Sequence, residues 1–210
     1  MGKIKFWLYA VIGQYTGRRK LEWITEELCK AQVNVIQLRL KNVTQRQFYE
    51  KAVKVKEICT KYKTPLIIND RIDICLAVNA DGVHLGEKDI PPDVARKILG
   101  KEKIIGLTVR SLETALKYKD FVDYFSVGNI FPSKTKPKPP VSPQFVKEIK
   151  EKTGKICLGI GGITLENVDR ALSYGIDGVC IAKDLLDREN IREHAEKLLM
   201  RILHYLSQRG

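Results

Sequence analysis

Apolar segments of strand length alternate with amphipathic segments along this chain, and that alternation restricts its possible folds more than any other feature. Helical periodicity is clearest over Leu21–Ala31, Phe48–Tyr62 and Leu112–Tyr118, with a shorter helical segment from Ile72 to Val78. Because strands that alternate with helices build βαβ units and a parallel sheet, eight such repeats predict an α/β fold, a single (β/α)8 TIM barrel. The predicted strands are Trp7–Ile12, Val35–Arg39, Leu66–Asn69, Gly82–Leu85, Ile104–Leu107, Tyr124–Val127, Ile156–Ile160 and Gly178–Ile181.

No linker or change of composition divides the 210 residues, so we predict one domain over residues 1–210. Thr164 is predicted to be the N-cap of the helix after the seventh strand, and the last helix to run from about Arg188 to Leu206. The only Pro-rich segment, Pro132 to Pro143, follows the sixth strand on the ligand side of a barrel. We predict that it is a mobile lid over the substrate.

Composition indicates a cytoplasmic protein whose partners are small molecules. The five cysteines are scattered and form no C-x-x-C pair, which favours reduced, buried thiols. No apolar run approaches the roughly 20 residues that span a bilayer. The net charge of +12 suggests nucleic acid, but Lys alternates with Glu over residues 147–152, which is typical of a solvated helix face. We expect neither a nucleic-acid nor a membrane partner, whereas a homo-oligomer is compatible with the sequence.

Two acids follow neighbouring strands. Asp70 ends the apolar segment that begins at Pro65, and Asp89 comes shortly after the strand Gly82–Leu85. Polar groups at the carboxyl ends of parallel strands face the ligand crevice, so the two acids are predicted to lie close together. Mg²⁺ typically takes one or two protein carboxylates and fills its other positions with water and substrate phosphate oxygens. Asp70 and Asp89 are therefore the candidate ligands of one Mg²⁺.

Three segments indicate phosphate binding, and each has a simpler interpretation. Glycines in Ile160–Thr164 allow backbone N–H groups to approach an anion, although a tight βα turn also requires glycine. Hydroxyl and ammonium groups alternate in Gly128–Lys136, which suits a phosphate but also a solvated turn. Gln37, Arg39 and Lys41 lie on one face of a strand, either as a cationic wall at the barrel mouth or as the surface of an edge strand.

Six motifs in sequence cover nearly the whole chain. They are Gln37-Leu-Arg-Leu-Lys41, Ile68-Asn-Asp-Arg-Ile-Asp73, Ala80-Asp-Gly-Val-His-Leu-Gly86 with Asp89, Ile105-Gly-Leu-Thr108, Val127-Gly-Asn-Ile-Phe-Pro-Ser-Lys-Thr-Lys136, and Ile160-Gly-Gly-Ile163 with Asp177-Gly-Val179. In this order they resemble the thiamine phosphate synthase family. The resemblance implies a Mg²⁺-dependent TIM-barrel transferase that joins 4-amino-2-methyl-5-(diphosphooxymethyl)pyrimidine to 4-methyl-5-(2-phosphooxyethyl)thiazole. The products are thiamine phosphate and pyrophosphate, formed through a pyrimidine carbocation.

The resemblance also implies roles for particular residues. Asp70 and Asp89 correspond to the Mg²⁺ ligands. The pyrimidine diphosphate site is implied to contain Gln37, Arg39, Lys41, Asn69, Thr108 and Lys136. The thiazole phosphate site is implied to contain Ser133, Lys134, Thr135, Gly162, Ala182 and Lys183. The catalytic candidates are Lys136, Arg39 and Lys41, which are expected to stabilise the leaving pyrophosphate, and Thr108, which is expected to hydrogen-bond either the pyrimidine or a diphosphate oxygen.

The chain departs from the family pattern at several of these positions. Leu40 replaces a Glu and, by alternation, points away from the polar face; Thr108 replaces a Ser and keeps the hydroxyl. Ala182-Lys183 replaces an Ile-Ser pair, so that Lys183 either binds the thiazole phosphate as a point charge or is a surface Lys at the start of the final helix.

Two alternatives share this barrel. One is a thiazole tautomerase-like relative, a branch that typically lacks the metal acids and carries a His where this chain has Asn129. The other is a non-catalytic sensor of phosphorylated ligands, against which the retained acids argue, because paired acids are unfavourable without a cation.

Overall fold

A computed structural model describes residues 5–13, 19–132 and 139–208. Eight parallel strands close into one barrel in chain order, with β1 paired to β8, which confirms the predicted TIM barrel. The strands are β1 Leu8–Ile12, β2 Val35–Leu38, β3 Leu66–Asn69, β4 Gly82–Leu85, β5 Ile104–Val109, β6 Tyr124–Gly128, β7 Ile156–Ile160 and β8 Gly178–Ile181. Each differs from its predicted range by at most two residues at one end.

The helices surround the barrel, and a short 3-10 helix, Lys119–Phe121, follows the fifth of them. In the part of the chain that the structure describes, no helix is both long and apolar enough to cross a membrane. The predicted single domain over residues 1–210 stays a prediction. The helices are α1 Leu21–Lys30, α2 Gln45–Tyr62, α3 Ile72–Ala77, α4 Pro92–Leu99, α5 Leu112–Tyr118, α6 Pro143–Thr153, α7 Val168–Leu172, α8 Lys183–Leu186 and α9 Ile191–Ser207.

Several helices begin at residues other than those predicted, because side-chain hydrogen bonds set their starts. Helix α2 begins three residues before Phe48 because Thr44 and Gln47 form a reciprocal capping box. The prediction of Thr164 as an N-cap is wrong: its N–H donates to Asn167 Oδ1 (2.8 Å), a turn follows, and α7 begins at Val168. The last helix does not begin at Arg188 either.

Asn190 sets the start of that last helix. Its Oδ1 accepts a hydrogen bond from Glu193 N (3.1 Å), so that α9 begins at Ile191. Arg188 lies in the segment between α9 and the separate four-residue helix α8. The predicted lid segment also contains a cap: Ser142 Oγ accepts from Phe145 N (3.1 Å) at the start of α6.

Strand residues alternate between two apolar cores. Outward-facing residues such as Leu8 and Ala10 pack against the helices, and Leu40, which replaces the family's Glu, is buried in this core. Inward-facing residues such as Tyr9 and Tyr124 fill the barrel itself in a smaller cluster. The five cysteines predicted to be buried thiols are free and buried. Packed side chains therefore fill the barrel interior toward the amino-terminal ends of the strands, as expected for this fold.

Four polar residues connect the strands in pairs at the amino-terminal end of the barrel. Each lies directly before an even-numbered strand. Its side-chain oxygen accepts a hydrogen bond from the N–H of the first or second residue of the preceding strand, and its own N–H donates to the carbonyl oxygen of that same residue. The pairs, with the side-chain distance, are Asn34 with Leu8 (2.9 Å), Asp81 with Leu66 (2.9 Å), Asp123 with Ile105 (2.7 Å) and Asp177 with Cys157 (2.8 Å). We call these four pairs the strand clamps.

Three of the strand clamps are also charged. Asp81 pairs with Lys56 (2.8 Å), Asp123 with Arg96 (2.8 Å) and Asp177 with Lys150 (2.6 Å), the cation in each case coming from an even-numbered helix. Each of these three strand clamps therefore connects two strands to the helix that precedes the first of them.

Removing a strand clamp should destabilise the barrel. In Asp81→Ala, the N–H of Leu66 loses its side-chain acceptor and Lys56 loses its carboxylate. We expect the free energy of unfolding to fall by about 1–3 kcal/mol, measured by urea denaturation. The matched control is Glu151→Ala, which removes an exposed ion pair of 3.8 Å and should change stability by less than about 0.5 kcal/mol. Equal losses in the two variants would contradict this role.

Candidate active site

A cavity of about 580 Å³ opens at the carboxyl ends of the strands. All eight strands or the residues directly after them contribute to its wall, as expected for ligand sites in this fold. Because inward-facing side chains alternate with outward-facing ones, the residues that reach the cavity lie two apart in the sequence, as Gln37 and Arg39 do on β2.

The cavity wall has a polar side and an apolar side. The polar side is built by inward-facing residues of five consecutive strands, β2 to β6. They are Gln37, Asn69, His84, Thr108 and Ser126, and we call them the polar arc. The opposite side is built from Val11, Ile160, Cys180 and Ala182. A flat ring with hydrogen-bonding atoms along one edge matches this division.

A chain of hydrogen bonds runs beneath and along the polar arc. Gln37 Nε2 donates to Tyr9 Oη (2.9 Å), and Tyr9 Oη lies 2.9 Å from Tyr124 Oη. Tyr124 Oη lies 2.9 Å from His84 Nδ1, and His84 Nε2 lies 2.8 Å from Thr108 Oγ1. Gly106 makes room for this chain, because a Cβ at that position would lie 2.3 Å from the Tyr124 hydroxyl.

The direction of the first hydrogen bond assigns the others. Because Gln37 donates to Tyr9, an arrangement in which every hydroxyl proton has an acceptor runs from Tyr9 to Tyr124 and from Tyr124 to His84 Nδ1. His84 then carries its proton on Nε2 and donates to Thr108, whose own proton points to the cavity. Burial raises the pKa of both phenols above its usual range, so they stay protonated. Thr108 thus presents a hydrogen-bond donor to a ligand.

Two guanidinium groups line the cavity and have no counter-ion among the residues that the structure describes. Arg39 follows β2 and Arg110 follows β5; both line the cavity, and neither forms a side-chain hydrogen bond or ion pair with any residue in the described ranges. Arg188, also at the cavity, is already paired with Asp184 at 2.6 Å. Unpaired guanidinium groups beside a cavity favour binding of a phosphorylated anion.

Asp70 and Asp89 meet beside the cavity at the ends of β3 and β4. The two carboxyl groups lie close enough to interact electrostatically. Asp70 N–H donates to His84 O (2.9 Å), which holds Asp70 next to β4, and Asp89 Oδ2 accepts from Gly86 N (2.7 Å). Burial raises the pKa of Asp89 above its usual range, and the negative charge of Asp70 raises it further.

The donor set of this acid pair fits a divalent cation. Lys41 Nζ forms an ion pair with Asp70, so that one cation already offsets part of the negative charge. No group of three or more His, Cys, Asp or Glu side chains that could hold a metal occurs within residues 5–13, 19–132 and 139–208. A Mg²⁺ ion held here would take two carboxylates from the protein and its remaining ligands from water and substrate, which is a common arrangement for this metal.

The Gly161-Gly162 turn is closely packed against the segment after β6. A Cβ on Gly161 would lie 2.6 Å from Asn129 Oδ1, and one on Gly162 would lie 2.6 Å from Pro132 O. Both glycines have positive φ, 97° and 67°, which favours glycine. The turn does not lie at a helix N-terminus, since α7 begins only at Val168. Close packing therefore gives a structural reason for glycine at both positions, in addition to the predicted contact with phosphate.

The structure brings most of the predicted site residues together. Lys41, Asp70 and Asp89 form a separate polar group at the rim, next to Asn69. Lys183 is exposed at the start of α8, with its Nζ 3.7 Å from Asp187 Oδ2, so its contact with phosphate stays a prediction. Residues lining the cavity are Gln37, Arg39, Asn69, Thr108, Gly162, Ala182 and Lys183. The predicted residues Ser133, Lys134, Thr135 and Lys136 lie outside the described residues.

Sequence reasoning assigned no role in the site to His84, Tyr9, Tyr124, Ser126 or Arg110. Strand alternation could have placed some of them in the barrel, because Tyr124, Ser126 and Gly128 lie two residues apart on β6 and so share one face. The hydrogen-bonded chain had no such signal, since its members come from β1, β2, β4, β5 and β6.

Comparison with known proteins identifies relatives over most of the chain. A family model described as thiamine monophosphate synthase matches residues 8–185. Thiamine-phosphate synthase 2 of Streptococcus pneumoniae serotype 4 is 41% identical over 184 residues, 87% of this chain and 88% of the relative. Thiamine-phosphate synthase of Clostridium tetani is 42% identical over 182 residues, 86% of this chain and 87% of the relative.

A solved structure agrees with both. Thiamine phosphate pyrophosphorylase from Pyrococcus furiosus superposes with a TM-score of 0.87 at 29% identity, covering 97% of this chain and 98% of the other. The family match at residues 8–185 extends from β1 to β8, the strands that build the cavity. The chain therefore belongs to the thiamine monophosphate synthase family.

Proposed function

We propose that this protein is a thiamine phosphate synthase, a transferase of thiamine biosynthesis. It joins the pyrimidine diphosphate to the thiazole phosphate and releases pyrophosphate. The observation that carries the proposal is one cavity that combines the polar arc with the Arg39 guanidinium, which has no ion-pair partner in the described ranges, in a chain about 40% identical to named synthases. The polar arc suits the aminopyrimidine ring, and the cationic rim suits the phosphates.

The reaction needs no nucleophile from the protein. The bond between the pyrimidine methylene carbon and the diphosphate oxygen breaks, and its electron pair leaves with pyrophosphate. The thiazole nitrogen then donates its lone pair to the methylene cation and forms the new C–N bond. The protein has to orient the two rings, exclude water from the cation and stabilise the leaving anion. Arg39 and Lys41, which follow β2, serve the last task together with Lys136.

We propose that Asp70 and Asp89 hold Mg²⁺ during this reaction. When bound, the ion supplies positive charge to the diphosphate oxygens. Lys41 offsets charge on Asp70, and Thr108, which receives a hydrogen bond from His84, directs its own proton at the substrate. Asn69, which precedes Asp70 and lines the cavity, is proposed to bind the pyrimidine diphosphate.

The thiazole phosphate is proposed to lie at the other side of the mouth, near Gly162, Ala182 and Lys183, with Ser133, Lys134 and Thr135. Phosphate sites after strands seven and eight recur in this fold. Every residue named in the proposal belongs to one chain, so the proposal is compatible with a monomer and with a homo-oligomer. It includes no nucleic-acid or membrane partner. The five buried free thiols support a cytoplasmic location.

The two alternatives lack comparable support. A thiazole tautomerase-like relative is expected to lose the diphosphate site, yet Asp70, Asp89 and Lys41 remain together here. A non-catalytic sensor does not require an acid pair for a cation. The relatives described above are named as synthases.

The test is incubation of the purified protein with both substrates and Mg²⁺. We expect thiamine phosphate and pyrophosphate in equal amounts, detected by chromatography and a coupled phosphate assay. Omission of either substrate is the control and should give neither product. Binding of both substrates without product would favour a sensor, and isomerisation of a thiazole alone would favour the tautomerase.

A further inference from the structure

Ser126 carries a buried hydroxyl that the protein leaves without a partner. The residue is 1% exposed and lies in the middle of β6. Over the described ranges, its Oγ is the buried side-chain polar atom that has no hydrogen-bond partner. Leaving a buried polar group unpaired costs about 1–3 kcal/mol, so such groups need an explanation.

The unpaired Ser126 hydroxyl lies in the cavity wall. Ser126 faces inward, because Tyr124, two residues earlier, points into the barrel and Phe125 between them packs in the outer core. Ser126 lines the cavity and is the register partner of Thr108 on β5. It is therefore the last member of the polar arc, next to the residue whose proton points to the ligand. A ligand in the cavity is the partner this hydroxyl lacks.

The charges of the site decide which part of a substrate reaches Ser126. Arg39, Arg110 and Lys41 follow their strands at the rim, whereas Ser126 lies within a strand, two residues before its end. Phosphate and diphosphate groups bind at the cationic rim, so the rings point inward. Of the two rings, the aminopyrimidine offers ring nitrogens and an amino group, whereas the thiazole uses its one nitrogen as the nucleophile. The aminopyrimidine edge is thus the hydrogen-bonding partner available at this depth.

We infer that the Ser126 hydroxyl hydrogen-bonds the aminopyrimidine edge of the first substrate and contributes to the selection of that ring. The inference rests on the proposed function, since it takes the substrate from it. A hydroxyl both donates and accepts, so it serves a ring nitrogen or the amino group equally. Ser126 acts here through ground-state binding, in contrast to the groups that stabilise the leaving pyrophosphate.

The experiment compares wild type, Ser126→Ala and Ser207→Ala. Ser207 is the matched control, because its exposed hydroxyl donates to His204 O (2.8 Å) on α9, outside the cavity wall. Affinity for the pyrimidine diphosphate is measured by calorimetry without thiazole phosphate, and KM is then measured for each substrate. In Ser126→Ala we expect the pyrimidine affinity to fall about 3- to 10-fold. KM for thiazole phosphate and all constants of Ser207→Ala should stay at wild-type values.

Thermal unfolding separates binding from a structural role. Since Ser126→Ala removes an unpaired buried hydroxyl, its Tm should equal or exceed that of wild type. A lower Tm, or an equal loss of affinity for both substrates, would show that the hydroxyl has a structural partner and would overturn the inference. Unchanged affinity of Ser126→Ala for the pyrimidine diphosphate, in an enzyme that forms thiamine phosphate, would overturn this inference and leave the proposed function intact. A wild-type protein that forms no thiamine phosphate would instead reject the proposed function.

Discussion

Chelation of divalent cations with EDTA is expected to abolish synthase activity, and added Mg²⁺ to restore it. Without a cation, the carboxyl groups of Asp70 and Asp89 present negative charge to a negative diphosphate. Asp70→Asn and Asp89→Asn should each lower kcat/KM by at least about 10²-fold, since a metal ion supplies several kcal/mol of charge stabilisation in such reactions. Calorimetry should show in parallel that Mg²⁺ no longer strengthens pyrophosphate binding in either variant.

Asp73→Asn is the matched control for the acid pair. Asp73 lies three residues after Asp70, but its Oδ1 pairs with Arg71 Nε at 2.8 Å and its pKa is lowered by that guanidinium. Its substitution should leave the Mg²⁺ dependence unchanged. Full turnover in EDTA, or equal effects of the three substitutions, would contradict the metal site.

Replacement of Arg39 by Ala is expected to lower kcat about 10²- to 10³-fold. Arg39 lines the cavity and has no counter-ion among the described residues, so its positive charge is available to the leaving pyrophosphate, and loss of one such donor has effects of this size. Arg39→Lys should retain part of the activity, because an ammonium keeps the charge but not the bidentate geometry. Single-turnover kinetics with saturating substrates measure the chemical step directly.

Arg46→Ala provides the comparison for this loss of charge. Arg46 is exposed on α2 and pairs with Glu50 at 3.0 Å, away from the strand ends. It should keep wild-type kcat. If Arg39→Ala changed only the KM of thiazole phosphate, Arg39 would belong to the phosphate site and not to the leaving group.

The fold could be predicted from the sequence because its signals are local. Each strand is a short apolar segment, and each is followed by a helix, so that the barrel and the family were both predicted and are confirmed. Helix ends were predicted less well, because they depend on side chains that compete for the same backbone groups. The Asn190 side chain caps α9, whereas the Asn167 side chain closes the turn before α7 by accepting from Thr164 N, so that Thr164 is not the cap.

The site was partly predictable for the same reason. Residues such as Asn69 and Asp70 end strands, and position alone brings them to the mouth. The hydrogen-bonded chain from Gln37 to Thr108 connects residues up to 115 apart in sequence, which no local pattern contains. An unpaired group such as Ser126 Oγ is visible only once its surroundings are known.

The strand clamps have a consequence for how such a barrel is divided. Each clamp joins an odd-numbered strand to the even-numbered strand that follows, as Asp81 does for β3 and β4 and Asp177 for β7 and β8. No clamp of this kind bridges β2 to β3 or β4 to β5 in the described residues. The smallest piece that satisfies its own polar strand ends is therefore a quarter of the barrel, made of two neighbouring strands. In three of the four quarters, the helix before the first strand supplies the cation of the clamp. Quarters, rather than eighths, are the natural modules for duplicating, exchanging or recombining parts of this fold.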